Sequence, residues 1–219
     1  MDSKKICFIM CTNDEFSKNE ALYYINRLNI PDGYALDCIT VTDAHSMTSG
    51  YNEAMQASDA KYKIYMHQDV FIIDKNFIYK LLDIFSDDKI GMIGIIGAQK
   101  MPANGIMWEG NEVGAFYSTC IYTSNRNISP SNGQKYFDVE AADGMLLATQ
   151  YDIPWREDLF DGWDFYDASQ SLEFRKRGYK VVVPASDNAL VVHNDGLLNL
   201  RNYFKYRKIF IKEYSSFLS

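Results

Sequence analysis

Through residues 5–97, short apolar runs alternate with stretches of helical periodicity. That alternation confines the chain to an α/β class in which parallel strands are joined by crossover helices. Residues 5–11 form a continuous apolar run suited to a strand covered on both faces, and Thr12-Asn13-Asp14 supplies the turn that follows. Ala21, Leu22, Ile25 and Leu28 recur at helical spacing. Residues 36–41 read as a second strand, 49–55 as part of a helix, and 63–66 as a third strand that runs into His67-Gln68-Asp69. Phe77, Ile78, Leu81, Leu82 and Phe85 share a helical face, and the glycine-interspersed run 90–96 is consistent with a fourth, closely packed strand. Together these make a nucleotide-binding type of half-sheet.

The second half is less regular. Pro, Gly, Asn and Ser punctuate residues 97–135, and Trp108 sits where no period is visible, so this stretch reads as a long, partly structured loop. Order returns at 139–149, followed by a helix over 165–177 closed by Gly178, a strand over 179–183 stopped by Pro184, and a short strand at 189–192. Residues 197–217 form a candidate amphipathic helix carrying Arg201, Lys205, Arg207, Lys208 and Lys212. No repeat, linker or low-complexity segment divides the chain, and 219 residues suit a single domain with a substantial core.

Composition excludes several function classes. A net charge of −7 argues against non-specific nucleic-acid binding, which needs a basic footprint to release counterions from phosphates. The apolar run near the N-terminus is too short for a membrane span or a signal core, so a cytoplasmic location is expected. Cys7, Cys11, Cys38 and Cys120 have neither CxxC nor zinc spacing and are expected to be reduced. The 16 Tyr and 13 Phe are chiefly packing residues, though surface-facing aromatics can also stack on bases and sugars.

Three segments carry the candidate chemistry. In Tyr65-Met66-His67-Gln68-Asp69-Val70, ligand-type side chains appear where a buried strand emerges, the edge at which open α/β sheets bind ligands. His67 and Asp69, two residues apart on extended backbone, face the same way and can reach one cation or one diphosphate. An aspartate after a strand equally serves as a turn or helix cap. In Phe160-Asp161-Gly162-Trp163-Asp164-Phe165-Tyr166-Asp167, carboxylates and aromatics precede a helix. Helix capping explains acids there, and so does a carboxylate placed to accept a proton from a sugar hydroxyl. His193-Asn194-Asp195-Gly196 follows a short apolar strand, so His67 and His193, out of three histidines, lie at strand ends, where a functional ligand and a satisfied structural histidine are both open readings.

The order of Gly-Tyr-Asn-Glu-Ala, His-Gln-Asp-Val and Trp-Asp-Phe-Tyr-Asp, the last ending eight residues before Arg-Lys-Arg-Gly-Tyr, resembles family-2-like inverting GT-A glycosyltransferases, most closely a bacterial glycosyltransferase-like subgroup. The resemblance runs from Ile6 to His193. It implies an open mixed sheet flanked by helices, with a nucleotide-binding half at 1–97 and an acceptor-side half at 98–219. His67-Gln68-Asp69 falls on the family's Asp-x-Asp motif, with Asp69 matching its last Asp, a metal ligand, and His67 replacing its first. Asp167 falls on the catalytic Asp and Tyr166 on the Glu that normally precedes it, while Asp164 is the competing base. His193 is similar to a late metal ligand of GT-A enzymes. Thr12, Asn13 and Glu15 lie where uracil and ribose contacts begin, Asp43 where a base-contacting acid often sits, and Asn52 and Gln68 complete the expected donor set. Trp163, Asp143 and Gly144 are the expected acceptor-side residues, with Gly144 equally open to a reading as a bulge or a close strand-packing point.

The resemblance further implies Mn²⁺ or Mg²⁺, a UDP-sugar donor, a glycan or lipid-linked acceptor, and a role in bacterial surface glycan synthesis. Peripheral membrane contact through the basic C-terminal helix is one expectation, and a core-facing Tyr203, Phe204, Ile209 and Phe210 with solvated cations is the other. A sugar-phosphate nucleotidyltransferase is disfavoured because Cys11-Thr12-Asn13-Asp14-Glu15 offers no glycine-rich basic loop for a triphosphate. A degenerate GT-A domain that binds nucleotide or glycan without turnover stays open, since His67 stands where a carboxylate is usual.

Overall fold

The computed structural model describes all residues except 120–123, 128–130, 132 and 197–198, with backbone alone at 124–127. Cys120 and the expected helix start at Leu197 therefore lie outside the described residues.

The first strand, β1 (Asp2–Cys11), is buried over its last six residues, as its apolar run requires. It is followed by α1 (Glu15–Ile25), whose N-cap Asp14 accepts from the Ser17 amide, then β2 (Ala35–Val41) and α2 (Met47–Ala57). Ser46 and Ser49 close a reciprocal capping box at the start of α2. Next come β3 (Ala60–Met66), β4 (Val70–Ile72) and α3 (Phe77–Ile84). The strands β1, β2 and β3 pair in parallel, in the order β2-β1-β3.

The apolar run 90–96 is two strands rather than one. It divides into β5 (Ile90–Gly94) and β6 (Ile96–Ala98), which belong to different sheets. The expected loop at 97–135 is also corrected. It contains the end of β6, a 3₁₀ turn (Met107–Glu109), β7 (Glu112–Ser118) and β8 (Ser124–Asn127). Local sequence conceals β7 because Gly114 interrupts it at φ +124°, where a Cβ would come within 2.3 Å of the Ile95 carbonyl oxygen. Its partners β6 and β8 are nearby in sequence, but its third partner arrives only near residue 192.

The remaining elements are β9 (Tyr136–Val139), β10 (Ala141–Ala142), β11 (Leu146–Thr149), α4 (Tyr166–Lys176), β12 (Lys180–Pro184), β13 (Val191–His193) and α5 (Tyr203–Tyr214). The main sheet runs β2-β1-β3-β11-β5-β12-β9, with β11 inserted antiparallel between β3 and β5. A second sheet runs β10-β6-β7-β13-β4. The sheet is thus mixed and open, flanked by helices, as expected.

Two features stiffen the frame. Lys63 on β3 is fully buried, its Nζ donating to the Ala60 carbonyl at 2.7 Å and to both oxygens of Asp152 at 2.8 and 3.0 Å. The helix α5 buries Tyr203, Tyr206, Phe210 and Tyr214 against Phe160, Phe165 and Leu172, each full aromatic burial contributing roughly 1.5–3 kcal/mol. Phe204, expected to face the core, is instead 57% exposed. No helix among the described residues is long and apolar enough to cross a membrane. Cys7, Cys11 and Cys38 are free thiols.

Candidate active site at the junction of two clefts

The turn leaving β3 carries His67, Gln68 and Asp69, and backbone bonds fix it on both sides. The His67 amide donates to the Met145 carbonyl at 3.0 Å, and the Asn194 amide donates to the Asp69 carbonyl at 2.8 Å. Antiparallel pairing of β13 with β4 sets His193 opposite Val70, which brings it beside Asp69. His193 Nε2 lies 3.5 Å from Asp69 Oδ1, and His67 Nδ1 lies 4.0 Å from the same oxygen. One ligand-type atom from each of the three side chains falls within 4.8 Å of the others, a spacing suited to a metal ion. The outer nitrogen of His67, Nε2, is held at 2.5 Å by the Tyr166 hydroxyl. A ligating histidine commonly has its second nitrogen fixed in this way, so the three residues fit a divalent cation.

Electrostatics support the same grouping. Burial works against the Asp69 charge, but the hydrogen bond from His193 and the two imidazoles outweigh it and hold the carboxyl below its ordinary value. Burial also disfavours charge on His193, and the bond to Asp69 overcomes it, raising the imidazole. His67 is lowered, first by burial and then by the neighbouring His193 charge, which favours a neutral, ligand-competent ring.

Asp167 stands across the site, in the first turn of α4. The approach to that helix bends through Phe165, the one non-glycine residue with positive φ among those described, at 62°. Asp167 Oδ2 accepts the Gly144 amide at 2.9 Å and Oδ1 accepts its neighbour Ala168 at 2.8 Å. Burial, then the negative charge of Asp143, pushes the Asp167 carboxyl up to about 7, where a general base is well matched to neutral pH. Asp164 is raised by burial, but among the described residues no hydrogen bond fixes its carboxylate. Gly144 permits the whole arrangement, because a Cβ there would fall 2.1 Å from the Tyr166 hydroxyl.

Two clefts meet here. The first, about 270 Å³, is lined by Thr12, Asn13, Thr42, Gln68, Asp69 and others; the second, about 200 Å³, by Asp143, Gly144, Asp164, Asp167, His193 and others. His67 and Trp163 line both. The loop carrying Trp163 is anchored to α2, the Met47 amide donating to the Gly162 carbonyl at 3.0 Å and the Thr48 hydroxyl to the Phe160 carbonyl at 2.6 Å.

Sequence-derived candidates thus separate into cleft and scaffold. Asn52 is scaffold: its side chain accepts the Trp155 amide at 2.8 Å and donates to the Trp155 carbonyl and Glu157, away from the first cleft. Glu15 is exposed at the start of α1 and pairs with Lys18. Asp43 is exposed beside the first cleft, whose wall is built from its neighbours Thr42 and Ala44. Gln68 lines the cleft and also ties it together, its Oε1 accepting the Asn13 and Asp14 amides at 3.0 Å each. Cys11, which opens the turn expected to contact the nucleoside, lines the first cleft, whereas Thr42, Ala44 and Met47 there, and Met107, Trp108, Leu200 and Tyr203 in the second, are not singled out as site residues by the sequence. Trp108 in an aperiodic stretch was the available signal; the others become neighbours only through the fold.

Residues 7–214 match the profile of the glycosyltransferase-like family. No curated protein matches the sequence. Among solved structures, the mannosyltransferase PcManGT from Pyrobaculum calidifontis in complex with GDP-Man and Mn²⁺ aligns with a TM-score of 0.57 and 14% identity, over 95% of this chain and 63% of that one. S. aureus TarS aligns with a TM-score of 0.58 and 12% identity, over 95% and 39%. Residues 1–349 of TarS in complex with UDP give a TM-score of 0.52 and 12% identity, over 94% and 64%. The chain spans less than two thirds of the length of each. At such identities the likeness is one of fold, GT-A.

Proposed function

The chain belongs to the glycosyltransferase-like family, and from that premise we propose that it is a metal-dependent, inverting transferase that moves a sugar from a nucleotide-sugar donor to a hydroxyl acceptor. The observation that carries the reading is the junction itself: the His67, Asp69 and His193 cluster lies between the two clefts, with Asp167 in the wall of the second.

His67, Asp69 and His193 would hold the divalent cation, which when bound supplies Lewis-acid stabilisation of charge on the departing diphosphate. Two imidazoles with one carboxylate favour Mn²⁺ over Mg²⁺, whose preference is for oxygen. Thr12, Asn13 and Thr42 line the cleft that would take the nucleoside. A UDP-sugar is the first donor to test and a GDP-sugar the second, since similar folds carry UDP in one case and GDP-Man in another.

In the transfer step Asp167 accepts the proton of the acceptor hydroxyl while that oxygen bonds to the anomeric carbon. The bond from that carbon to the diphosphate oxygen breaks, its electron pair leaving with the nucleoside diphosphate. A single displacement inverts the anomeric configuration and needs no covalent enzyme intermediate. Asp167 is assigned this role over Asp164 because two backbone amides hold its carboxylate in place and its acidity suits a base near neutral pH.

The test is thermal denaturation with UDP, GDP, CMP and dTDP, each with and without Mn²⁺, because a ligand bound to the folded state raises the melting temperature. A metal-dependent rise with one nucleotide supports the reading and selects the donors to assay for turnover. No rise with any of the four overturns it in favour of a domain without a donor site.

A further inference from the structure

The second cleft has an unusual lining for an acceptor site of unspecified chemistry. Trp108 and Trp163 are 47% and 51% exposed, although indole is among the groups most readily buried. Both line this cleft. Trp108 is not loose: it stacks on Tyr203, centroids 5.4 Å apart and planes at 26°, and Tyr203 is itself buried against Phe165 at 4.9 Å. Trp163 sits on the loop that α2 anchors through the Gly162 and Phe160 carbonyls. The polar part of the lining is acidic. Asp143, Asp164 and Asp167 line the cleft together with His67 and His193, and no Lys or Arg is in the lining among the described residues. Two cations of α5 are engaged elsewhere: Arg207 Nε donates to the Asn104 carbonyl at 2.5 Å, and Lys205 pairs with Asp161 at 3.5 Å.

Resting on the transferase reading above, we propose that this cleft receives its acceptor as an uncharged pyranose ring, packed on Trp108 and Trp163, with ring hydroxyls bound by Asp143 and Asp164. A pyranose has apolar faces of C–H groups and a rim of hydroxyls. Fixed aromatic planes complement the first and carboxylates, which only accept hydrogen bonds when ionised, complement the second. A phosphate or carboxylate on the part of the acceptor that rests against Asp143 and Asp164 would meet like charge with no Lys or Arg in the described lining to pair with, so anionic sugars are selected against at this position. A cavity of about 200 Å³ is smaller than the roughly 300–1,000 Å³ of pockets for drug-sized ligands, which suits one ring at a time. Because Trp163 borders both clefts, a ring resting on it lies next to the donor sugar, with a hydroxyl available to Asp167.

The experiment is saturation-transfer-difference NMR on the full chain with UDP and Mn²⁺ present and absent. The probes are the methyl β-glycosides of glucose, galactose and N-acetylglucosamine, set against glucuronate, glucose 6-phosphate and glucosamine. At least one neutral glycoside is expected to receive saturation at its ring C–H protons, and the two anionic sugars none. Trp108→Ala and Trp163→Ala should each weaken that binding by about tenfold, the order of a lost aromatic contact of roughly 1.4 kcal/mol. Trp108→Phe and Trp163→Phe should restore most of it, and unchanged melting temperatures in all four variants exclude a folding defect. Saturation of an anionic sugar equal to that of the neutral ones, preference for the glucosamine cation, persistence of binding in both alanine variants, or no binding to any probe overturns the assignment. Failure of the transferase reading looks different: neutral glycosides bind through the tryptophans while no nucleotide shifts the melting temperature.

Discussion

Asp167→Asn separates chemistry, binding and stability in one variant. The carboxyl of Asp167 titrates at about 7 in the folded chain, against 3.8 ordinarily. Between these values the folded state holds a proton that the unfolded state has released, so folding stability falls as pH rises through that window, and the loss is complete above about 7. At about 1.36 kcal/mol per pH unit the ceiling is about 4 kcal/mol, which water in the open cleft reduces to about 2–3 kcal/mol. Asparagine is never ionised and escapes this loss, but its single carbonyl can accept only one of the two backbone bonds from Gly144 and Ala168, which costs about 1 kcal/mol. The net gain at pH 8 is about 1–2 kcal/mol, or roughly 3–6 °C in melting temperature for a chain of this size, measured with chelator present, and it reverses to a loss of about 1 kcal/mol as pH falls to 4, where only the missing hydrogen bond remains. Transfer should fall by about 10²–10⁴-fold, while the nucleotide-dependent thermal shift stays as in the parent chain. The parent's kcat/KM should rise with pH through about 7 and then level, because the base must be ionised to act. An Asn variant that is active, or no more stable at pH 8 than at pH 4 relative to the parent, refutes the assignment of Asp167 as a buried base. Equivalent losses in Asp164→Asn alone would move the role to that residue.

Three further outcomes are expected. His193→Ala should abolish measurable Mn²⁺ binding by titration calorimetry or electron paramagnetic resonance while the fold persists by circular dichroism, since the ring is one of only three ligand groups in the cluster; Mn²⁺ affinity equal to the parent's would place the metal elsewhere. Tyr166→Phe removes only the hydroxyl that holds His67 Nε2 and should weaken Mn²⁺ binding by about 10–100-fold with little change in melting temperature; no change would make that hydrogen bond incidental to metal binding. Asp152→Ala should destabilise the chain by about 3–5 kcal/mol in urea unfolding because it leaves Lys63 buried without an anion, whereas Lys63→Met should cost clearly less because Asp152 is one-third exposed and stays hydrated; equal costs would contradict this account of the buried pair.

The parts of the fold that local patterning can specify were legible: β1, β2 and β3, the helix faces and the Gly178 helix stop all follow from periodicity and turn chemistry. What depends on distant partners was not. The run at 90–96 looks continuous because both of its halves are buried, yet its strands join different sheets, and nothing within seven apolar residues records that division. β7 is hidden in the sequence because Gly114 breaks its pattern and β13, its third partner, lies far along the chain. The site divides the same way. His67 and Asp69 share one turn and could be paired from spacing, and the β13 register then carries His193 to them. Asn52 was polar, close to a helix start and plausible as a donor contact, but its amide is spent on Trp155 and Glu157, a use that no local pattern encodes.

The two positions at which the sequence departs from the family's acidic pattern meet in space. By the resemblance, His67 takes the place of the first Asp of Asp-x-Asp and Tyr166 that of the Glu before the catalytic Asp, and a 2.5 Å hydrogen bond joins the two side chains. Taken singly, each departure argues for a lost site, because each removes a carboxylate. Taken together they form a neutral pair in a buried place: the carboxylates expected there would have stood close to one another and to Asp69, Asp143 and Asp167, where every added negative charge raises the cost of ionising the rest. The pair also needs Gly144, since any side chain there would displace the Tyr166 hydroxyl and with it the orientation of His67. His67 Nδ1 then lies 4.0 Å from Asp69 Oδ1, in the cluster that His193 completes. A metal site built on His67, Asp69 and His193, as proposed above, would suit a cation that accepts nitrogen ligands, so the two departures do not by themselves argue for a lost site.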